Sequence, residues 1–261
     1  MGEHKVHTLQ VHMFPCLEDN YGYLVHDPET GYTAAIDTPE VEPIERALRE
    51  KGWKLSHILN THHHFDHAGG NLELKDKTGC VVIGPAADAK RIPGIDIRLG
   101  NNDVYLFGKH EMTVFYTPGH TSGHCVYYFE DSGIVFVGDT LFSLGCGRLF
   151  EGTAEQMWCS IQKLLDLPDS TKVYCAHEYT QANAQFALSV EPDNPDLRKR
   201  AIEIDKLRAA HQPTVPTSIG LERNTNPFMR PDSKNLRDTI GLPDASNEEV
   251  FAETRRRKDR F

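Results

Sequence analysis

The tract His62-His63-His64-Phe65-Asp66-His67 constrains this chain more than any other feature. It packs four histidines and an aspartate into six consecutive positions, directly after the largely apolar run Leu55–Leu59. The tract therefore sits on a loop leaving the carboxyl end of a predicted strand, where α/β folds place their sites. As core filling it would bury many polar groups at high cost, and as ordinary surface it has no reason to concentrate imidazole. Neutral imidazoles beside a carboxylate suit zinc, iron or manganese.

Three further residues fall at predicted strand or loop ends. His120 lies in Pro118-Gly119-His120-Thr121-Ser122-Gly123-His124, Asp139 ends the strand Ile134–Gly138, and His177 follows the strand Lys172–Cys175. Taken singly, each reads equally well as a hydrogen-bonded loop histidine, a cap or a half-buried polar residue. Strand ends of one sheet converge in space, however, so the three can complete a site begun by the histidine tract. Together with His62, His64, Asp66 and His67 they make too many donors for one tetrahedral ion, whereas two ions sharing a carboxylate would use them all. His63 is expected to pack or hydrogen-bond behind such a centre and His124 to support it. His4, His7, His12, His26, His57, His110 and His211 read as structural or surface residues.

Up to about residue 140 the chain shows short apolar or alternating runs separated by turn residues. Val6–Val11, Tyr21–Val25, Thr33–Ile36, Leu55–Leu59, Val81–Ile83, Thr113–Tyr116, Cys125–Phe129 and Ile134–Val137 predict strands. Helical spacing appears at Val41–Lys51 and Leu72–Lys77, and the mixture implies a layered α/β architecture. After Gly152 the period changes: Met157, Ile161, Leu164 and Leu165 predict a helix over Ala154–Leu167 capped by Thr153. The strand Lys172–Cys175 then precedes helices at Gln181–Leu188 and Leu197–Arg208, and Gln212–Pro216 breaks the pattern. This places a boundary near residue 179, giving an α/β domain at 1–178 that carries the histidine tract and a helical domain at 179–261.

Bulk properties narrow the function. The 261 residues are 39% hydrophobic, enough to bury a real core. A formal net charge of -10 argues against a nucleic-acid partner. No apolar run approaches the roughly 20 residues that span a bilayer, so no membrane partner is expected. The six cysteines form no CxxC pair and fit free thiols in a reducing compartment. The start, Met1-Gly2-Glu3-His4-Lys5-Val6, reads as neither an export signal nor a myristoylation signal. A cytoplasmic monomer is expected, with the mitochondrion as the alternative if a transit peptide has been removed. Arg255, Arg256, Arg257, Lys258 and Arg260 crowd the carboxyl end, either as a solvated helix face or as a local anion site.

The set His62, His64, Asp66, His67, His120, Asp139 and His177 resembles the metallo-β-lactamase superfamily signature, which implies an αββα sandwich. Within it, several segments resemble the hydroxyacylglutathione hydrolase (glyoxalase II) family: Thr61–Asn71, Gly138–Thr153 with Cys146-Gly147-Arg148-Leu149-Phe150-Glu151-Gly152, His177-Glu178-Tyr179-Thr180, Asn226-Pro227-Phe228-Met229-Arg230, and Arg255–Phe261. The resemblance covers essentially the whole chain. It implies a catalytic role for 1–178, a substrate-binding role for 179–261 and two divalent ions, with zinc foremost and iron or manganese as alternatives. His62, His64 and His120 would hold the first and Asp66, His67 and His177 the second, with Asp139 bridging. Asp66 and Asp139 would be the catalytic carboxylates, Asp66 also orienting the attacking water. The implied substrate is a glutathione thioester, S-D-lactoylglutathione, hydrolysed to D-lactate and glutathione, with Arg148, Tyr179, Arg255 and Lys258 on the glutathione part. Two positions depart from familiar members, which carry Lys at Arg148 and Tyr at Phe150. Arg keeps the charge, but Phe lacks the hydroxyl, so weaker binding or a shifted preference is expected. The nearest competing resemblance is to the mononuclear iron persulfide dioxygenases, which are not expected to carry the extended carboxyl-terminal region.

Overall fold

The structure, a computed structural model, describes residues 8–261. The expectations resting on the first residues, including His4, His7 and the start of the strand Val6–Val11, lie outside them. The chain forms two compact units. One runs to Tyr116 and resumes at Cys125–Ile134; the other comprises Thr117–His124 and Val135–Phe261.

The first unit begins with β1 (Gln10–Cys16), β2 (Asn20–His26) and β3 (Thr33–Ile36), followed by α1 (Val41–Lys51) and β4 (His57–Leu59). Next come α2 (Phe65–Ala68), α3 (Asn71–Thr78), β5 (Val81–Pro85) and β6 (Ile97–Leu99). These strands make one sheet in sequence order. It is antiparallel across β1, β2 and β3 and parallel from β3 to β6. The β1 strand runs on past the predicted end at Val11 to Cys16 and contains Pro15, tolerable because β1 is an edge. Ile44, Ala47 and Leu48 on one face of α1 pack with Leu24, Ala35, Ile58, Leu74 and Val82 in a buried apolar cluster. Gly52 ends α1 at φ 68°, a left-handed cap that glycine adopts without a Cβ clash. The antiparallel strands β7 (Val104–Phe107), β8 (His110–Tyr116) and β9 (Cys125–Phe129) complete this unit.

The second unit contains most of β10 (Ile134–Gly138), the hairpin of β11 (Leu141–Phe142) and β12 (Gly145–Cys146), α4 (Ala154–Leu165) and β13 (Lys172–Cys175). Helices α5 (Thr180–Val190) and α6 (Pro195–Ala209) follow, then β14 (Thr217–Ser218), α7 (Ile219–Thr225), α8 (Lys234–Ile240) and α9 (Asn247–Lys258). Thr153 caps α4 through a full capping box with Gln156, satisfying two amide donors reciprocally. Helices α5 and α6 share a core of Ala184, Ala187, Leu197, Ala201 and Ile204 with Leu144. Among the described residues, no helix is long and apolar enough to cross a membrane.

Candidate metal centre

In the first unit the donors gather around one buried carboxylate. Asp37 follows β3 at φ 57°, a left-handed conformation uncommon outside glycine. Its carboxylate accepts from Thr61 N at 2.7 Å, Thr61 Oγ1 at 2.8 Å and His67 Nδ1 at 2.8 Å. The end of β3 thereby fixes the loop that leaves β4. Asn60 adds a bond to the His67 carbonyl at 2.8 Å. Because the Thr61 hydroxyl donates to Asp37, its oxygen accepts from His62 Nδ1 at 3.0 Å, leaving His62 Nε2 bare. That nitrogen lies 3.0 Å from His64 Nδ1. The Asp37 bond likewise puts the His67 proton on Nδ1, and the bare Nε2 stands 3.4 Å from Asp66 Oδ2. Asn20 Nδ2 holds that same carboxylate oxygen at 3.1 Å. His63 is occupied elsewhere, 2.9 Å from the fully buried Asp88, which also accepts from Arg91.

In the second unit the loop Thr117–His124 meets the end of β10. Asp139 is buried, and its backbone N–H donates to His124 Nε2 at 3.0 Å. His124 Nδ1 faces the hydroxyls of Thr117 and Thr140, each at 3.0 Å. His124 therefore locks the main chain at Asp139, in the supporting place expected of it. His120 Nδ1 donates to the Arg148 carbonyl at 2.9 Å, and its other nitrogen lies 3.2 Å from Asp139 Oδ2. His177 Nε2 lies 3.4 Å from Asp139 Oδ1. One carboxylate thus stands between two imidazoles, one on each oxygen.

Both units present an imidazole whose Nδ1 proton is already committed and whose bare Nε2 faces a carboxylate oxygen: His67 on Asp66, and His120 on Asp139. A lone pair against an anion is repulsive unless a cation or an added proton lies between them. Imidazole nitrogens with carboxylate oxygens are the donor type divalent zinc, iron and manganese take, so the residues present fit such ions.

The four candidate substrate contacts all belong to the second unit. Arg148 is exposed. Tyr179 stacks on His177 with centroids 4.7 Å apart and rings 2° from parallel, and it stands edge-on to Phe142 at 5.3 Å. Arg255 is buried: it donates to Cys146 O at 2.8 Å, pairs with Asp259 at 2.8 Å and lies 5.1 Å from the centre of the Phe228 ring. Lys258 lies over the rings of Phe186 and Phe261. Burial, then the charges of Arg255 and Arg148, push its ammonium down to about 8. Phe150 is exposed and packs on His120, centroids 5.1 Å apart. Sequence reasoning missed Asp37, Asn20 and Glu151. A lone Asp after an apolar strand reads as a turn; only its place before a strand that ends in a histidine tract could have marked it.

Fold and donor chemistry define the class: this is a metallo-β-lactamase-superfamily protein. The superfamily model matches residues 27–177, and the model described as hydroxyacylglutathione hydrolase C-terminus matches residues 178–261. A hydroxyacylglutathione hydrolase of Maricaulis maris is 54% identical over 253 residues, covering 97% of this chain and 99% of that protein. That of Methylococcus capsulatus is likewise 54% identical, with the same coverage. The chain belongs to the hydroxyacylglutathione hydrolase family. Among solved structures, ETHE1 from Myxococcus xanthus is 24% identical with a TM-score of 0.65, over 96% of this chain and 99% of that one. TTHA1623, solved in a di-iron-bound form, is 25% identical with a TM-score of 0.60, over 84% of this chain and 99% of that one.

Proposed function

We propose that the chain hydrolyses S-D-lactoylglutathione to D-lactate and glutathione. The observation that carries this reading is the hydrolase-specific match at 178–261, continuous with the superfamily match before it. We further propose that His62, His64 and His120 hold one divalent ion and Asp66, His67 and His177 a second, with Asp139 between them. Zinc is the first choice and iron or manganese the alternatives. Residues 1–178 would carry the chemistry and 179–261 would receive the glutathione part, in a monomer working in the cytoplasm.

Divalent ions, when bound, make water nucleophilic near neutral pH and polarise an acyl carbonyl. The chain's own residues prepare that step. Asp37 and the Arg148 carbonyl fix the tautomers of His67 and His120, so their Nε2 atoms are available as donors without a proton first being lost. Asn20 holds Asp66 to one orientation, which lets its carboxylate align the attacking water. A thiolate leaves readily at neutral pH, so no dedicated acid is needed. Glutathione carries two carboxylates, and Arg148, Lys258 and Arg255 offer cations for them. For Arg255 the exposed side is its Asp259 pair, which a substrate carboxylate would replace.

The persulfide dioxygenase reading has less support, because the carboxyl-terminal region matches the hydrolase family's own model. Asp139→Ala tests the shared role of this carboxylate: bound metal and thioester hydrolysis should fall together, by at least about a hundredfold for hydrolysis. Full metal content with full activity in that variant would exclude it as the bridge.

A further inference from the structure

We infer that the helical segment 178–261, beyond receiving substrate, positions His120 by gripping a strap of chain, residues 142–152, that in turn holds the His120 loop. The inference rests on the metal role proposed for His120.

The grip at the near end is continuous. Phe142 O and Gly145 O both accept from Asn226 Nδ2, at 3.2 and 3.0 Å. Ser143 O accepts from Asn183 at 3.1 Å, and Ser143 Oγ from Arg200 at 2.9 Å. Leu144 N donates to Glu222 Oε2 at 2.8 Å, and Cys146 O accepts from Arg255 at 2.8 Å. Five successive residues are thus each held by a side chain of the helical segment. Leu144 needs it, since it sits at φ 60°, a conformation that costs energy for a branched residue and persists only when its surroundings impose it. Asn226, Glu222 and Arg200 are themselves buried and mutually bonded: Asn226 Nδ2 lies 2.9 Å from Glu222 Oε2, and Glu222 pairs with Arg200. A buried, fully bonded network of this kind is rigid and specifies one geometry.

The far end of the strap grips the His120 loop. Gly147 seats so closely that a Cβ there would come within 2.0 Å of the Asp139 carbonyl oxygen. Arg148 O accepts the His120 Nδ1 proton at 2.9 Å, and the Phe150 ring packs on the same imidazole. Glu151 accepts from Ser122 N at 2.7 Å and Ser122 Oγ at 2.8 Å, and Gly152 N donates to Gly119 O at 3.0 Å. Apart from the Gly147 approach to Asp139, these contacts fall on Gly119, His120 and Ser122. Asn226 and Glu151, at the two ends, are positioning residues that act on His120 through the strap and the loop.

The test withdraws zinc from the loaded full-length protein with a chromogenic chelator, comparing the unaltered chain with Asn226→Ala and Glu151→Ala, and checking near-UV circular dichroism throughout. Each variant should release one of its two ions about tenfold more readily, with the second unchanged. Glu151→Gln, which keeps an acceptor oxygen, should restore most of the difference. Glu151 is on the surface, so its variants carry the test even if Asn226→Ala fails to fold. Folded Glu151→Ala that releases both ions like the unaltered chain, or both equally faster, overturns the inference. If the unaltered chain holds no zinc, the metal reading beneath fails, and that shows before any variant is compared.

Discussion

At the scale of single residues, Lys258 makes the sharpest case that burial tunes chemistry here. Its ammonium sits over two aromatic rings, and burial with the neighbouring Arg255 and Arg148 charges brings it to about 8 from the ordinary 10.5. As pH rises through 8 the charge is lost, and with it the attraction for a substrate carboxylate. The apparent KM for a glutathione thioester should therefore rise several-fold between about pH 7 and 9, more than kcat changes. Lys258→Met should flatten that rise, and an unaltered KM profile in the variant would exclude Lys258 from binding. Stability moves the other way: the unfolded chain binds the extra proton between 8 and 10.5, so this group's contribution grows as pH rises across that window. The seven proposed donor positions stand out in the sequence because histidine and aspartate cluster in the tract and recur at strand ends. Asp37 was not, since its three bonds arise only when β3 and the loop after β4 lie side by side.

At the scale of elements, propensity and period located what is locally determined. The α1, β3, β9 and β13 bounds agree with the periodic runs, and the Thr153 cap is where its capping box requires it. The β6, β7, β11, β12 and β14 strands did not show, because each is short and set by its neighbours. The β11–β12 hairpin exists through Asn226, Glu222 and Arg200, far along the chain. The α7 helix depends on the same network, so no window of sequence around it declares its role. The Arg200–Glu222 pair is buried, and removing one partner leaves an uncompensated charge. Glu222→Gln should therefore lower unfolding free energy by about 3 kcal/mol, measurable by urea denaturation. A loss within experimental error would show the network to be dispensable.

At the scale of the whole molecule, the family resemblance covered the chain from end to end, and the two family matches meet at residues 177 and 178. The αββα architecture was legible through that resemblance; strand and helix spacing alone reached only a layered α/β protein. Ions held by the proposed donors would add their binding free energy to the stability of the folded chain. Ions present at about a thousand times their dissociation constant stabilise a folded chain by about 4 kcal/mol, so stripping them should lower Tm by several degrees, and restoring zinc should recover it. An unchanged Tm after complete removal would argue that the donors are structural without metal.

The most direct test of the account is hydrolysis of S-D-lactoylglutathione by the purified chain, followed as loss of thioester absorbance, with metal content measured on the same sample. The account predicts rapid hydrolysis with about two divalent ions per chain. A folded chain carrying two ions that leaves the thioester intact would contradict it.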